Sequence, residues 1–409
     1  MNILILNSWY YPNLKGGAEH SVKLLAENLA KKDHNVAVFS IDSISAHSIN
    51  KDVINNVVIY RGTGNKYNIR KAYDKSQNNF FTKIKNKILE IYNPSIKKEL
   101  DFVYKDFNPD IIHCNCIAGI SLYALDFFKN KNIPIVYTVR DYFLDSPKNI
   151  IENIYSINIL YRFILKCYRF FSKEKTKKVN AFTAPSDFVL KYMLNHNYFS
   201  KANITQTIVN CIDFNIEDIK EQITKKNNHL PQTLMYAGSI VNVKGIIPMV
   251  NAFMNTNIKS TFYICGDGPL SNWIKECAQK DNRIQFLGKL KPEEIENIYK
   301  QSDIIIVPSL WDEPFGRVVI EGAKYGLVVL GSNNGGIPEI ISKLHCGIIC
   351  KDINNEKLLQ ENIEYLFNTD LSYYRSLTIN RIAYYSIENQ IHQFEQIYNQ
   401  LVNLVSIVY

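Results

Sequence analysis

Asp303-Ile304-Ile305-Ile306-Val307-Pro308-Ser309-Leu310-Trp311-Asp312-Glu313-Pro314-Phe315-Gly316-Arg317-Val318-Val319-Ile320-Glu321 is the stretch whose reading decides the fold. A short apolar run stops at Pro308-Ser309, which reads as a buried strand running into a loop. Gly316 and Arg317 then open a helix. Backbone N–H groups and the dipole at a helix start favour an anion. Glu321 falls about a turn or more into that helix, and Glu313 lies eight residues earlier, before it begins. One carboxylate can therefore face one end of a ligand while the second faces the other. Carboxylates accept strongly from paired hydroxyls, which a ribose and a hexose both present.

The same strand, glycine turn and helix pattern recurs on either side. Leu234–Gly238, Thr261–Gly266, Ile284–Gly288 and Val328–Gly331 are apolar runs that end in glycine. Earlier, Asn2–Asn7 is an apolar strand. The loop Ser8–Gly17 follows, and then a helix over 18–31 with Val22, Leu25, Ala26 and Leu29 at helical spacing. Asn35–Ile41, Asp110–His113, Pro134–Thr138 and Ala181–Ser186 repeat the strand signal. This alternation predicts an α/β chain built from doubly wound, Rossmann-like parallel sheets. Length agrees, because 409 residues suit two domains of about 200 each. The expected divisions are 1–212, a polar linker at 213–231, and 232–382. The segment 386–405 reads as a long amphipathic helix, with Ile387, Ile391, Phe394, Ile397, Tyr398 and Leu401 on one face.

Ligands of open parallel sheets bind at the carboxyl ends of the strands. In the second half those positions carry Gly238-Ser239 and then Lys244-Gly245, Gly266-Asp267-Gly268-Pro269, Gly288-Lys289-Leu290, and Gly335-Gly336. Glycines let backbone approach a ligand closely, and Lys244 offers a point charge to phosphate oxygens. The set suits a sugar diphosphate.

Composition removes other classes. Hydrophobic residues make up 46% and charged residues 21%, an ordinary globular balance. No apolar run reaches spanning length, and the first seven residues read as a strand and not as a signal peptide. Eight cysteines show neither CxxC pairs nor zinc spacing, which fits reduced thiols in the cytosol. The net charge of +8 is uneven. Residues 1–210 hold 29 basic against 17 acidic residues, and the remainder 18 against 22. A basic first half suits either an anionic lipid or acceptor surface, or an ordinary basic exterior. The stretch 148–178 also leaves two readings. It mixes Tyr155, Tyr161, Phe163, Tyr168, Phe170 and Phe171 with Arg162, Lys166, Arg169 and a basic run at 173–178. It reads either as a membrane-interfacial helix or as a helix whose aromatics pack inward while its charges face water. No D-x-D triplet occurs, so a metal-chelated diphosphate is not expected.

Glu313 and Glu321 form the E-x7-E pattern of retaining GT-B glycosyltransferases, and the chain resembles glycosyltransferase family 4 over nearly its full length. The resemblance also runs through Gly16-Gly17-Ala18-Glu19, Asp110–His113, Arg140-Asp141-Tyr142, Pro185-Ser186, Val209–Asp213, Lys244-Gly245, Gly266–Pro269 and Pro314-Phe315-Gly316. Their joint order is specific, whereas each alone is weak. It implies two facing Rossmann-like domains, with segment 383–409 returning to the first. It implies a metal-independent, retaining hexosyltransferase using a UDP- or GDP-sugar and no cofactor. The acceptor would be a glycan or lipid-linked glycan, in cell-surface polysaccharide or lipopolysaccharide synthesis. The expected location is the cytoplasm, with the inner membrane face as a second option, and no nucleic acid is implied.

By position, Glu321 would bind the ribose, and Glu313, Phe315 and Gly316 the donor sugar. Lys244, with Ser239, Arg317, Gly266 and Gly268 nearby, would meet the diphosphate. Backbone near Leu290 would meet the base, and Gly16 and Gly17 would let the first loop close. Lys244, Glu313 and His113 are the catalytic candidates; Trp9, Tyr10, Asn115, Arg140 and Asp141 are the acceptor candidates. Some positions depart from the family pattern. Ser239 stands where arginine is common, Asn115 where a second histidine is common, and Arg140 where histidine is common. His113 reads equally as a structural strand-end residue. Arg140 reads as an anion ligand or as a partner of an acidic neighbour. The aromatics of the first loop read as sugar-stacking or as loop anchors. A non-catalytic nucleotide-sugar-binding scaffold and a GT-B sugar-nucleotide isomerase are the competing functions.

Overall fold

The computed structural model describes residues 1–14, 16–41, 49–64, 80–153, 155–226 and 230–408. The chain divides into two compact units. One is Met1–Cys211 with the terminal segment from Ile387, and the other is Ile212–Ser386.

In the first unit the described strands are β1 (Asn2–Leu6), β2 (Asn35–Ser40), β3 (Asn50–Ile54), β4 (Val57–Arg61), β5 (Ile111–Cys114), β6 (Ile135–Thr138), β7 (Ala181–Ala184) and β8 (Ile204–Thr207). They form one sheet in the order β3-β4-β2-β1-β5-β6-β7-β8. All neighbours pair in parallel except β3 with β4. The strands β1, β5, β6 and β7 are almost wholly buried, which explains why they read as continuous apolar runs. The second sheet holds β9 (Thr233–Ala237), β10 (Thr261–Cys265), β11 (Ile284–Gly288), β12 (Ile304–Val307), β13 (Val328–Ser332) and β14 (Gly347–Cys350). Its order is β11-β10-β9-β12-β13-β14, with every described pair parallel. The doubly wound α/β expectation therefore holds for each unit.

The order reverses once in each sheet, and those reversals position the sites. From β9 the second sheet grows outward through β10 and β11, and then restarts on the opposite side with β12. The connections leaving β9 and β12 diverge and open a crevice at their carboxyl ends. In the first sheet the corresponding neighbours are β1 and β5.

The final helix, Ile387–Val408, packs Ile391, Phe394, Ile397, Tyr398 and Leu401 into the core of the first unit beside Ile3, Val38 and Ile111. The stretch expected to be an open linker is different. It carries a helix, Ile216–Lys226, whose Ile219 and Ile223 are buried in the second unit. Lys226 lies inside as well, donating to the carbonyls of Lys300, at 2.7 Å, and Ser302. Two isoleucines four apart are enough to dock a single turn-and-a-half of apolar face, although everything around them is polar.

The inward-facing option for 148–178 is also corrected. The helix Ile159–Thr176 buries Leu165, Tyr168, Ser172 and Thr176, but Phe163, Phe170 and Phe171 are exposed. No helix among the described residues is long and apolar enough to cross a membrane. All eight cysteines are free thiols, six of them buried.

Phe394 is fully buried, stacked on Tyr398 at 6.0 Å and tilted against His113 at 4.9 Å. Phe394→Ala is expected to cost the first unit about 3–5 kcal/mol, read as a lower denaturant midpoint of the full chain. A loss below about 1 kcal/mol would show that the last helix is not held by this core.

Candidate active site

Two loops meet at the reversal of the second sheet. After β9 comes a short 3-10 turn, Asn242–Lys244, and after β12 the polar stretch that begins at Pro308. Backbone N–H groups of Leu310 and Trp311 donate to the carbonyl of Val243 at 2.9 and 3.2 Å, so the loops are tied to each other. Gly245 adopts φ +71, and a Cβ there would lie 1.8 Å from the Pro308 carbonyl oxygen. Only glycine permits so close an approach in a left-handed conformation.

The result is a direct ion pair between distant stretches. Lys244 Nζ lies 2.5 Å from Glu313 Oε1, and both side chains remain partly accessible. The same ammonium sits 4.8 Å from the centroid of the Trp311 ring. An ammonium has three donors, so the carboxylate and the ring face fix its position and leave capacity for an anion. Glu313 is itself held by backbone. Its carbonyl accepts from Gly336 N–H at 2.8 Å, and Gly335, at φ +62, would place a Cβ 2.2 Å from that carbonyl oxygen. Asn334 Nδ2 donates to the Ser309 carbonyl at 2.8 Å. Beside Glu313, Asp312 is raised by burial, against a backbone N–H from Gly335.

A second cluster stands on the helix Arg317–Lys324, which opens at Gly316. Arg317 Nε donates to Glu321 Oε1 at 2.6 Å, and the Tyr299 hydroxyl lies 3.4 Å from Glu321 Oε2. Tyr299 stacks on Tyr325 at 5.2 Å. Among the described contacts Glu321 touches neither Lys244 nor Glu313; the loop 308–316 links the two groups. Phe315 is buried, Leu290 and Arg317 are half-buried, and Ser239 is exposed, its carbonyl accepting from the Tyr236 hydroxyl at 2.8 Å. Gly266 N–H donates to Gly288 O, and Gly268 packs on the backbone of Ile240. Sequence reasoning missed Trp311, Tyr299 and the supporting role of Gly335-Gly336. Trp311 was visible two residues before Glu313, whereas nothing local marks Tyr299.

In the first unit, a cavity of about 490 Å³ opens where β1 and β5 diverge. Trp9 and Glu19 line it from the loop and helix after β1, Cys116 from the loop after β5, and Asp141 from the loop after β6. Burial pushes the Asp141 carboxyl up, against a backbone N–H from Phe143. Lys87 and Lys148 also line it, each paired with a glutamate at 2.8 Å, Glu90 and Glu152 respectively. Gly16 caps the helix Gly17–Ala30 by donating its N–H to Glu19 Oε2 at 2.9 Å.

Three assignments change here. His113 leaves the catalytic set. It is fully buried, with Nδ1 2.6 Å from the Tyr398 hydroxyl and Nε2 2.7 Å from Thr138 Oγ1, so both ring nitrogens are engaged. Tyr10 leaves the acceptor set, because it is 1% exposed and packs in the hydrophobic core. Arg140 is held by side-chain amides. It donates through Nε to Asn115 Oδ1 at 2.7 Å and through Nη1 to Asn210 Oδ1, which makes Asn115 its positioner. The strand-end location was legible for these residues. Their depth was not, since it depends on the last helix covering β5.

Known proteins place this geometry. The model described as Glycosyltransferase Family 4 matches residues 15–215, and that described as Glycosyl transferases group 1 matches 216–382. An uncharacterised 42.6 kDa protein of a cps region in Klebsiella pneumoniae is 29% identical over 83% of this chain and 87% of its own. An uncharacterised glycosyltransferase of Methanocaldococcus jannaschii is 24% identical over 90% of this chain and 89% of its own. Among solved structures, sucrose-phosphate synthase from Thermosynechococcus elongatus matches with a TM-score of 0.72 at 17% identity, covering 98% of this chain and 99% of that one. Anabaena HepE, solved with UDP and glucose, matches with 0.63 at 16%, covering 97% and 99%. The fold is GT-B, and the chain belongs to the family 4 type of glycosyltransferases.

Burial pushes the His113 ring down to about 3, with Arg140 adding to the effect. The unfolded chain binds a proton near pH 6.5 that the folded chain refuses, so this contribution is complete above that pH and falls as the medium acidifies. Between pH 7 and about 4.5, His113 is expected to remove roughly 2–3 kcal/mol of stability. His113→Asn should be less stable at pH 7 but lose less on acidification, measured by denaturant titration at each pH. Parallel losses in the two proteins would contradict a neutral buried imidazole.

Proposed function

We propose that the chain transfers a hexose from a UDP- or GDP-sugar to a glycan or lipid-linked acceptor, with retention and without a metal. The Lys244–Glu313 pair at the sheet reversal is the observation that carries this reading. Breaking the sugar–phosphate bond leaves a nucleoside diphosphate with extra negative charge. A pre-positioned ammonium stabilises that leaving group without reorganising at the moment of reaction. Lys244 would supply this charge, held by Glu313 and the Trp311 ring, and Arg317 would supplement it where Ser239 offers none. Glu313, Phe315 and Gly316 would meet the sugar. Glu321, oriented by Arg317 and Tyr299, would accept from the ribose hydroxyls. Leu290, Gly266 and Gly268 would border the nucleotide. In this reading the departing phosphate oxygen would take the acceptor proton, without the paired nucleophile and acid of a hydrolase. The acceptor would enter the cavity at Trp9 and Asp141; Arg140 and Asn115 are buried and do not line it. UDP is supported by the HepE complex, and a role in surface polysaccharide by the relative from a cps region.

Thermal-shift measurement with UDP-, GDP- and ADP-sugars is expected to find at least one that stabilises the chain. Saturation near 100 times the dissociation constant adds about 2.7 kcal/mol. Glu321→Ala should abolish the shift, and a full shift in that variant would remove the ribose assignment. Lys244→Ala should lower turnover of the same donor by about two to three decades, equivalent to roughly 3–4 kcal/mol of barrier. Undiminished turnover in that variant would remove Lys244 as the stabiliser of the leaving group, and binding without any turnover in the wild type would turn the reading toward a scaffold.

A further inference from the structure

The helix Ile159–Thr176 has three faces. Leu165, Tyr168, Ser172 and Thr176 point inward, and the Tyr168 hydroxyl donates to the Phe143 carbonyl at 2.6 Å. At 3.6 residues per turn, the opposite side carries Ile159, Leu160, Phe163, Ile164, Phe170 and Phe171. All six are exposed, Ile159 at 83% and Phe163 at 66%. Along one border run Arg162, Lys166, Arg169 and Lys173, spaced i, i+4, i+7 and i+11. Arg169 is compensated by Asp145 at 2.6 Å, and Glu174 at the far end pairs with Lys177. Arg162, Lys166 and Lys173 make no ion pair among the described residues.

The apolar surface does not stop at this helix. The helix Phe80–Ile91 packs beside it and presents Ile84 and Ile88, both exposed, and Tyr155 precedes it at 82% exposure. Isolated exposed apolar residues are ordinary, but a contiguous face of large ones calls for an occupant. A helix with one face docked on its own protein has no need of aromatics on the other.

We propose that this face rests on an anionic phospholipid bilayer. Ile159, Leu160, Phe163 and Phe170 would enter the boundary between headgroups and acyl chains, and the basic border would meet lipid phosphates. Long basic side chains beside an apolar band can reach phosphate while the band sinks. The charge pattern favours this occupant over a second copy, because an antiparallel twofold contact would bring two basic borders together, whereas lipid phosphates would meet them with opposite charge. The proposal is independent of donor chemistry and is read without catalysis.

The test is co-sedimentation of the full chain with vesicles of phosphatidylcholine alone and with phosphatidylglycerol added. Binding is expected to be at least about tenfold greater on the anionic vesicles and to weaken with added salt. The double variant Phe163→Ser/Phe170→Ser is expected to lose about tenfold in binding, since interfacial affinity scales with buried apolar area. Arg162→Gln/Lys166→Gln should lose part of the anionic preference alone. Phe163, Phe170 and Lys166 are exposed, so variants there should keep the wild-type melting temperature, which separates lost docking from lost folding. Arg162 is half-buried and donates to the Tyr155 and Ile157 carbonyls, so the single variant Lys166→Gln is the folding control for the basic border. Equal binding to neutral vesicles, no vesicle binding, or unchanged binding by the phenylalanine variant would overturn the proposal. So would a dimer in sedimentation velocity that the phenylalanine variant dissociates.

Discussion

The site of the second unit depends on one constraint: a parallel sheet that changes direction once. Strands β9 and β12 are neighbours in the sheet but about 70 residues apart in sequence, and their exits diverge. The reversal brings the Lys244 loop and the Glu313 loop to a common edge. Hydrogen bonds from Leu310 and Trp311 to Val243, together with the close packing of Gly245 on Pro308, turn that adjacency into a fixed distance. Without the reversal, an ammonium and a carboxylate from these two stretches would have no reason to meet. Sheet order therefore determines electrostatics, and electrostatics determines which ligands suit the edge.

Much of this was legible in the sequence. The apolar runs marked strands of both sheets, ending in glycine in the second, and the crevice rule pointed to the two loops that bring Lys244 and Glu313 together. Two kinds of feature escaped. Burial depth requires knowing which later element covers a strand. His113 and Tyr10 read as possible site residues until the helix Ile387–Val408 and the core around it are in place. Short amphipathic segments in polar surroundings also hide. Ile219 and Ile223 are two apolar residues in a charged stretch, and composition outvotes them although four-residue spacing is the signal that matters. The converse error arose at 159–176, where many aromatics suggest a core helix. The buried positions there are Leu165, Tyr168, Ser172 and Thr176, two of them small hydroxyl residues.

The first unit uses its own reversal differently. Its polar groups after β5 and β6 are mostly committed to one another. Arg140 is held by Asn115 and Asn210, and His113 by Tyr398 and Thr138, which in turn meets Thr183. A buried network of this kind specifies one arrangement and holds its cation in place. Among the described residues, what remains open to a ligand is the cavity beside Trp9 and Asp141, whose carboxyl is pushed up by burial. The contrast with the second unit is one of accessibility. There the ammonium stays partly exposed beside its acid, whereas here the guanidinium is interred.

The energetic weight of the Lys244–Glu313 contact argues for its purpose. Ion pairs that retain solvent contact contribute roughly 0–1 kcal/mol to folding. Yet the loops around this one contain three left-handed glycines, Gly245, Gly316 and Gly335, and glycine loses more backbone freedom on folding than any other residue. The arrangement therefore costs conformational entropy that the pair alone does not return. Consistent local rules are broken most often where function requires it. A site whose supports exceed its contribution to stability is better explained by the charge it presents than by the fold it holds. The diphosphate reading accounts for that excess, since an ammonium fixed in advance acts on a leaving group at no further ordering cost.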